Sequence, residues 1–478
     1  LCLLLSLLAP VRAARPNVQL ILVDDLKPTL GCYGDAKAVT PNLDRFARSA
    51  VRFDRAYTNQ AVCAPARNAL LVGMRPTSIG VYDLVTNFRL GAPAAVTLQQ
   101  AFRQGGYRVE TFGKVFHGGN GDESDRAALS APHWDWQDKK LYAADHQDRP
   151  ATENLDVPDN AYSDGAMTDA ILERLRQVQG GGEPFLLVAG FKKPHLPFTA
   201  PRKYWELHER TEFAPDGPAA PPQHAPNFAG HNWGELRNFS DIPDVGPVDA
   251  TKASELIRGY YAATSYSDAQ IGRLLDRLNE LKLDENTIVI VWGDHGWHLG
   301  DHGWWCKHTN YEQANRIPLL VRAPGVSAPG ASTAAFIESI DILPTLCELT
   351  GLATPSSAEG VSQVAVLRDP QQAVRSEAMH VYPRGANIGR AVRTARHRLI
   401  EWKAAGADAA TAVIELYDYQ TDPQETVNIA AQQPEVVAAL RARLALLPEA
   451  RLQIRDNVQQ AKREQRKENR QGTSQKNP

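Results

Sequence analysis

Residues 17–25 read NVQLILVDD, an apolar run that ends directly in two carboxylates, Asp24 and Asp25. Short apolar runs of this kind are typical of strands covered on both faces, as in a parallel sheet. Similar runs occupy residues 107–111, 185–190, 287–292 and 317–321, and helical patterns occupy residues 42–49, 253–281 and 342–349. The alternation predicts an α/β fold, with a mostly parallel central sheet flanked by helices.

Ionisable side chains follow four of these predicted strands directly. In chain order they are Asp24 and Asp25, Lys114 and His117, Lys193 and His195, and Asp294 and His295. A single Asp after a strand is commonly a helix N-cap, but two Asp-containing pairs among four strand ends favour a metal site. In an open parallel sheet, ligands bind beyond the carboxyl ends of the strands. The pattern therefore predicts a site at that edge.

The candidate metal ligands at these strand ends are Asp24, Asp25, Asp294 and His295. Three carboxylates favour a hard cation such as Ca²⁺ or Mg²⁺. The imidazole of His295 leaves Mn²⁺ and Zn²⁺ open, or it hydrogen-bonds beside the site without binding the ion. A zinc cluster is an alternative for three later histidines, His298, His302 and His308. Their glycine-rich loop matches no H-E-x-x-H helix, which disfavours that alternative.

Residues 63–67, CAPAR, place Cys63 at the start of a helical pattern, NALLVG. The positive end of a helix dipole favours a thiolate or another anion at that point, and Arg67 can add a guanidinium to the same anion. The alternative is a buried free cysteine with a surface arginine. The five cysteines of the chain are too few for a disulfide scaffold and show no C-x-x-C spacing, so a functional cysteine acts alone.

The charges of the chain are nearly balanced. Its 478 residues include 52 Lys and Arg against 55 Asp and Glu, a formal net charge of −3 at pH 7. This balance argues against a chain-wide basic surface for nucleic acid or anionic membranes. After the N-terminal segment, no apolar run approaches the length of a membrane-spanning helix. We therefore expect no nucleic-acid partner and no membrane span.

Several motifs, in their order along the chain, resemble those of the type I sulfatases, the formylglycine-dependent family. C-x-P-x-R at residues 63–67 is similar to the motif whose cysteine is oxidised to formylglycine in that family. The other matching motifs are VDDL at residues 23–26, GKVFH at 113–117, KPH at 193–195, GDHG at 293–296 and the later Lys307. The chain is most similar to the iduronate-2-sulfatase branch, through DDLKPTLGCYGD, GKVFHGG, FKKPHLPF and HLGDHGWWCKHTNYE. The resemblance covers about residues 15–447 and implies an alkaline-phosphatase-like sheet.

The resemblance also implies a set of site residues and cofactors. The implied catalytic residues are Cys63, Arg67, Lys114, His117, His195, Asp294 and Lys307. The implied ligands of one Ca²⁺ ion, with Mg²⁺ as the alternative, are Asp24, Asp25, Asp294, His295 and the modified Cys63. Lys193 is expected to be only a structural neighbour.

Each implied catalytic residue has an expected role. Hydrated formylglycine would attack sulfur, with a carboxylate such as that of Asp294 as the base. Three cations would hold the diol and the sulfate oxygens: Arg67, Lys114 and Lys307. His195 would protonate the leaving oxygen, and His117 would take a proton as sulfate is expelled.

The resemblance and the changes in sequence pattern along the chain together predict its domains. Residues 1–14, LCLLLSLLAPVRAA, resemble part of a secretory signal peptide, which predicts a periplasmic or extracellular protein, or a lysosomal one in a eukaryote. Residues 15–372 are expected to form the sulfatase catalytic domain. Residues 373–450 are expected to form a smaller α+β subdomain, and the polar residues 451–478 a disordered tail.

The resemblance implies a sulfated saccharide as substrate and a formylglycine-generating enzyme as maturation partner. A phosphonate monoester or phosphodiester hydrolase of the same superfamily and a non-catalytic sulfoglycan-binding protein stay open as alternatives. The intact catalytic set argues against a pure binder, which needs neither nucleophile nor acid. Near Lys307, Trp304 and Trp305 either stack on a sugar ring or pack the loops. The natural glycan and the oligomeric state are not indicated by the sequence.

Overall fold

A computed structural model describes residues 15–117, 123–136 and 149–455. The predicted signal segment and residues 456–478 of the predicted tail lie outside the described residues. The strands are, in chain order, β1 (Asn17–Val23), β2 (Val51–Tyr57), β3 (Arg108–Gly113), β4 (Thr152–Glu153), β5 (Phe185–Phe191), β6 (Phe198–Thr199), β7 (Thr287–Gly293), β8 (His298–Leu299), β9 (Trp305–Cys306), β10 (Arg316–Ile317), β11 (Leu319–Arg322), β12 (Ser332–Glu338), β13 (Glu377–Arg384), β14 (Asn387–Thr394), β15 (His397–Ala404) and β16 (Val413–Asp418).

The central sheet is mixed but mostly parallel, as predicted. Its strand order is β10-β2-β11-β7-β1-β5-β3, and β12 also pairs with β2. β1 runs parallel to β5 and β7, and β3 runs parallel to β5. β11 is antiparallel to both β7 and β2, so those two strands point the same way. The carboxyl ends of β1, β2, β3, β5 and β7 therefore share one edge of the sheet.

The predicted strand at residues 317–321 is present in a different form. It is divided between β10 and β11, with Pro318 between them, and both pieces run antiparallel to β2. Proline has no backbone N–H to donate to a neighbouring strand, which accounts for the interruption.

Helices cover both faces of the central sheet. They are, in chain order, α1 (Pro41–Ala47), α2 (Cys63–Val72), α3 (Pro76–Ile79), α4 (Leu98–Gln104), α5 (Glu123–Ala127), α6 (Ser163–Val178), α7 (Arg202–Glu206), α8 (Ala250–Glu280), α9 (Glu312–Asn315), α10 (Ile342–Thr350), α11 (Val364–Arg368) and α12 (Pro434–Leu444). One face packs against α2, α4 and α10, and the other against α1, α6 and α8. Leu20 of β1 points to the first face and Ile21 to the second, which is why this strand is apolar throughout.

The longest of these helices, α8, begins where Asp249 accepts a hydrogen bond from the backbone N–H of Lys252 at 2.9 Å. It buries one side against β6, α1, α6 and α7. Within the parts of the chain that the structure describes, no helix has both the length and the apolar character needed to cross a bilayer.

A second, smaller sheet lies near the C-terminus of the described chain. Its order is β13-β14-β15-β16, with every pair antiparallel. α12 covers one face, where Leu440 and Leu444 pack against Leu399. The other face contributes Trp402 to an apolar cluster that contains Trp304 of the main body. The predicted α+β subdomain is thus confirmed, and its boundary at residue 372 stays a prediction.

Candidate active site

The predicted strand-end residues converge at the carboxyl edge of the central sheet. Asp24 and Asp25 follow β1, and Asp294 and His295 follow β7. β1 and β7 are adjacent and parallel, so the two pairs lie side by side. The backbone N–H of Asp25 donates to Oδ1 of Asp294 at 2.9 Å, which ties the two strand ends together.

Cys63 is the first residue of α2, beyond the end of β2, and is buried. Its Sγ lies 3.4 Å from Nε2 of His295 and 3.5 Å from Nζ of Lys114. Burial and the charge of Asp24 alone would raise the pKa of the thiol. Lys114 and Lys307 outweigh them and hold it well below its usual value. The predicted cysteine therefore sits among cations at a helix N-terminus.

The donor atoms around Cys63 fit a divalent cation. Carboxylate oxygens of Asp24 and Asp25, Sγ of Cys63 and a ring nitrogen of His295 lie within 4.8 Å of one another, and all four residues are buried. Oδ1 of Asp294 lies beside this group, 3.6 Å from Nε2 of His295. Burial raises the pKa of Asp25, and that of Asp294 to about 8. These carboxylates thus bind protons more tightly than usual, which indicates that the cluster attracts further positive charge, as a cation would supply.

Arg67 is fully buried among these carboxylates. Its Nη2 donates to Asp24 and its Nε donates to Asp294, each at 3.0 Å. Its Nη1 donates to the backbone carbonyl of Lys114. The alternative of a surface arginine is therefore wrong. The guanidinium contacts the carboxylates of the cluster and the end of β3.

Two lysines flank the cluster, one beside Asp24 and one beside Asp25. Nζ of Lys114 pairs with Asp24. Nζ of Lys307 lies 3.1 Å from Asp25 and 4.9 Å from the ring centre of Trp297. The side chain of Lys307 is 2% exposed and that of Lys114 is 13% exposed, so both charges act at a lower dielectric than in water.

The two predicted histidines face this cluster from different loops. His117 lies close enough to Cys63 to help lower the pKa of its thiol. His195 follows β5, and its Nε2 lies 3.9 Å from carboxylate oxygens of both Asp24 and Asp25. Burial lowers the pKa of His195, but Asp25 and Asp24 outweigh this effect and raise it to about 10. The neighbouring carboxylates therefore favour the protonated form of its imidazole.

Lys193 holds the loop that carries His195. Its Nζ donates to the backbone carbonyls of His195 at 2.8 Å and Pro197 at 2.6 Å. Asp164 accepts hydrogen bonds from the backbone N–H groups of Lys192 and Lys193. These contacts agree with the prediction that Lys193 is a structural neighbour of the site.

The chain matches known proteins over most of its length. Residues 16–352 match the sulfatase family, and residues 300–450 match the C-terminal region of N-sulphoglucosamine sulphohydrolase. Iduronate 2-sulfatase of Mus musculus is 33% identical over 384 residues, which are 71% of this chain and 69% of that protein. The chain belongs to the sulfatase family. The family predicted from the motifs is confirmed, and with it the reaction class, sulfuric ester hydrolysis.

Solved structures support the fold of this sulfatase. BT4656, in complex with its substrate D-glucosamine-2-N,6-O-disulfate, has a TM-score of 0.73 at 22% identity, covering 90% of this chain and 97% of that one. Phosphonate monoester hydrolase SpPMH from Silicibacter pomeroyi also has a TM-score of 0.73 at 22% identity, covering 90% and 94%. These identities establish the alkaline-phosphatase-like fold and do not distinguish between the two ester classes.

The site of the sulfatase contains one acidic residue that the sequence did not reveal, Glu235. Its carboxylate lies 3.0 Å from Nε2 of His195, 2.9 Å from Nζ of Lys307 and 3.3 Å from Nε2 of His308. Burial alone would raise its pKa, but Lys307 and hydrogen bonds from His195 and His308 hold it well below its usual value. Glu235 follows no strand and belongs to no short motif, so no local pattern indicated it.

The alternative zinc cluster in the sulfatase is not formed. The two ring nitrogens of His298 contact Asp301 and Thr309. Nδ1 of His308 lies 2.9 Å from the hydroxyl of Tyr382. Within the described ranges, no group of metal-binding atoms includes His298, His302 or His308.

Trp304 and Trp305 are only 5% and 4% exposed. Trp304 packs against Tyr311, with ring centres 5.1 Å apart. Their burial favours the packing alternative over stacking on a sugar.

Proposed function

We propose that this sulfatase removes sulfate from a sulfated saccharide and that Cys63 is the precursor of its formylglycine nucleophile. The observation that carries the proposal is the position of Cys63, at the N-terminus of α2, with Sγ 3.5 Å from Lys114 and 3.4 Å from His295. An anion that reacts at residue 63 is surrounded by fixed cations, which are most effective where charge spreads in a transition state. Sulfatases generally use formylglycine and a divalent metal ion.

We assign one Ca²⁺ ion, or Mg²⁺ in its place, to the oxygen-rich cluster. Its proposed ligands are Asp24, Asp25, Asp294, His295 and the modified residue 63. A bound ion would supply Lewis-acid chemistry, lowering the pKa of the nucleophilic hydroxyl and withdrawing charge from the sulfate ester. The donor set supports this assignment, because hard oxygens outnumber the single imidazole.

The cations of the site have separate tasks in this proposal. Lys114 and Lys307 neutralise the sulfate oxygens, and their burial strengthens that attraction. Arg67 keeps Asp24 and Asp294 in fixed orientations, and it is proposed to reach the reacting oxygens as well. Hydrated formylglycine supplies the nucleophilic oxygen.

Two histidines and one carboxylate move protons in this scheme. His195 is the proposed general acid for the leaving oxygen, because its Nδ1 donates to the carbonyl of Leu196 and its Nε2 faces the cluster. Asp294 is the proposed base that takes a proton from the attacking hydroxyl. His117, which helps to lower the pKa of the Cys63 thiol, is the proposed base for the second step, in which sulfate is expelled.

The finer substrate assignment is a 2-O-sulfated uronic acid in a terminal position. Its support is the 33% identity to iduronate 2-sulfatase. We further propose that the protein is exported and that a formylglycine-generating enzyme matures Cys63 before or during folding, because the side chain is buried in the folded chain. Residues 15–372 and 373–450 are the proposed catalytic domain and C-terminal subdomain.

The decisive experiment is co-expression with a formylglycine-generating enzyme, followed by mass spectrometry of the peptide that contains Cys63 and assays on paired esters. We expect residue 63 to lose its sulfur and two hydrogens and to gain one oxygen, as the conversion of –CH2SH to –CHO requires, and we expect sulfate esters to be hydrolysed faster than matched phosphonate monoesters. Faster hydrolysis of the phosphonate monoesters would mean that they, and not sulfate esters, are the preferred substrates. Equal rates on a 2-O-sulfated uronate and on the matching 2-O-sulfated sugar without the carboxylate would contradict only the uronate assignment.

A further inference from the structure

Glu235 lies in the irregular segment between α7 and α8, residues 207–249, and contacts the active site from there. Its carboxylate contacts three groups on two other loops: Nε2 of His195 at 3.0 Å, Nζ of Lys307 at 2.9 Å and Nε2 of His308 at 3.3 Å. Two of these residues, His195 and Lys307, are proposed to bind the reacting ester. Because His195 is the proposed acid for the leaving oxygen, its contact with Glu235 puts this carboxylate on the proposed leaving-group side.

The backbone around Glu235 is firmly anchored. Trp233 and Leu236 on either side of it are buried in an apolar cluster with Trp304. The backbone N–H groups of Leu236 and Arg237 both donate to the carbonyl of Trp233, at 3.0 and 3.2 Å. The guanidinium of Arg237 lies 3.5 Å from the ring centre of Trp233. The carboxylate thus reaches the site from a fixed turn.

Glu235 differs from the other carboxylates of the site in its exposure. Its side chain is 23% exposed, whereas those of Asp24, Asp25 and Asp294 are at most 1% exposed. A substrate can therefore reach Glu235 without displacing the metal cluster.

The contact with His195 determines what happens to Glu235 when an ester binds. Nδ1 of His195 donates to the carbonyl of Leu196, so Nε2 is the nitrogen that faces both Glu235 and the ester. If Nε2 donates its proton to the leaving oxygen, it no longer donates to Glu235. The carboxylate keeps its contacts with Lys307 and His308 and gains an unused acceptor beside the leaving alcohol. A carboxylate in that position can accept a hydrogen bond from a hydroxyl of the leaving alcohol.

We infer that Glu235 accepts a hydrogen bond from the hydroxyl on the carbon next to the sulfate ester, which makes it a specificity-determining residue for vicinal hydroxy sulfates. This inference rests on the proposed function of the site. Carboxylates accept such bonds strongly, and they repel anions. The enzyme therefore prefers a free neighbouring hydroxyl to a hydrogen atom or a second sulfate at that position.

The test compares two alkyl sulfates that differ only in this hydroxyl, 2-hydroxycyclohexyl sulfate and cyclohexyl sulfate, with 4-nitrophenyl sulfate as a third substrate. The metal-loaded, matured enzyme is compared with its Glu235→Gln and Glu235→Ala variants. Glu209→Gln, at an exposed residue of the same irregular segment, is the control. The value of kcat/KM is measured for each ester. Where turnover of an alkyl sulfate is slow, its inhibition constant is measured instead, with 4-nitrophenyl sulfate as the substrate.

We expect the wild-type enzyme to favour the hydroxylated ester by about 10- to 100-fold, the range for a hydrogen bond to a charged group. In Glu235→Ala the preference should fall to within about threefold, with an intermediate value for Glu235→Gln, which keeps a neutral acceptor. Glu209→Gln should match the wild type. Because Gln has nearly the size of Glu, this variant keeps the test decisive if Glu235→Ala does not fold.

Two outcomes overturn the inference without affecting the proposed function. One is a wild-type enzyme that treats the two alkyl sulfates alike. The other is a loss in the Glu235 variants that is equal on all three substrates, which would mean that Glu235 only positions His195 and Lys307. Absence of hydrolysis of every sulfate ester by the matured wild-type enzyme would instead remove the proposed function, and the inference with it.

Discussion

Arg67 and Asp294 form a fully buried ion pair, in which Nε of the guanidinium donates to Oδ2 of the carboxylate at 3.0 Å. The same guanidinium donates to Asp24 at 3.0 Å and to the backbone carbonyl of Lys114. It therefore links the ends of β1, β3 and β7 at the point where the proposed chemistry takes place. The predicted contact of Arg67 with the sulfate stays a prediction, but its contact with both carboxylates is direct.

Removal of Arg67 is expected to destabilise the fold. Arg67→Met leaves two buried carboxylates without this partner, and loss of one partner of a buried pair costs about 3–5 kcal/mol. Arg67→Lys should cost less, because one charge stays while the forked geometry is lost. Urea unfolding measures both. Arg45→Met, which removes an exposed ion pair with Asp276, should cost less than about 1 kcal/mol, and a similar cost for Arg67→Met would contradict the prediction.

Substitution of Cys63 is expected to abolish turnover without unfolding the protein. Cys63→Ala removes the precursor of the nucleophile but deletes only one buried atom. The assay is sulfate release by enzyme co-expressed with a formylglycine-generating enzyme. Cys347→Ala, at another buried cysteine, is the matched control and should keep full activity. Undiminished activity in Cys63→Ala would refute the proposed mechanism.

The metal prediction is about one Ca²⁺ or Mg²⁺ ion per chain. Elemental analysis after dialysis should find it in the wild type and find much less in Asp25→Asn, which loses one charged ligand. Chelation should lower both activity and the melting temperature, because a ligand that binds only the folded state stabilises it. The exposed Asp216→Asn should leave the metal content unchanged. Two zinc ions per chain would contradict this assignment.

The acid role of His195 predicts a dependence on the leaving group. A poor leaving group needs a proton and a good one does not, so His195→Ala should slow an alkyl or sugar sulfate by about 10²–10⁴-fold and 4-nitrophenyl sulfate far less. Steady-state kinetics on both substrates give the comparison. The exposed His224→Ala should affect neither. Equal losses on both substrates would mean that His195 only positions the ester.

The sequence predicted the strands that are recognisable from their own residues, because they are continuous apolar runs. β1, β5 and β7 are apolar on both faces, and their ends carry the residues that meet at the site. β2, with the sequence VRFDRAY, was not predicted, because its half-exposed charged residues break the apolar run. The antiparallel direction of β11 depends on pairing with β2, which is more than 250 residues away in the chain, and no local pattern encodes it.

Some side chains do not make the local capping hydrogen bond that their residue type favours, because distant partners compete for them. Thr40 stands at the N-cap of α1, but its hydroxyl accepts from the backbone N–H of Gly31 and makes no cap hydrogen bond. Asp341 precedes α10, but its carboxylate pairs with Arg375. Glu235 in the active site is similar, because its three partners also lie far from it in the chain, on two other loops. Residues of this kind can be found only from the folded structure.

Glu312 joins the C-terminal subdomain to the main body. Its carboxylate accepts hydrogen bonds from Arg398 at 2.6 Å, Arg393 at 3.2 Å and the hydroxyl of Tyr57 at 2.9 Å. Burial would raise its pKa, but the two arginines outweigh burial and hold it at about 2, against an ordinary value of 4.5. The ionised form therefore stabilises the fold.

The difference in pKa sets the sign of the dependence of stability on pH. The contribution of Glu312 is complete above about pH 4.5 and is lost as the pH falls from there to about 2. The shift in the pKa of Glu312 corresponds to a contribution of roughly 3 kcal/mol to the free energy of unfolding. Urea unfolding at pH 6, 4 and 3 should show the advantage of the wild type over Glu312→Gln shrink as the pH falls, while the exposed Glu348→Gln stays close to the wild type throughout. An advantage over Glu312→Gln that is constant with pH would mean that hydrogen-bond geometry, and not the charge of Glu312, holds the subdomain in place.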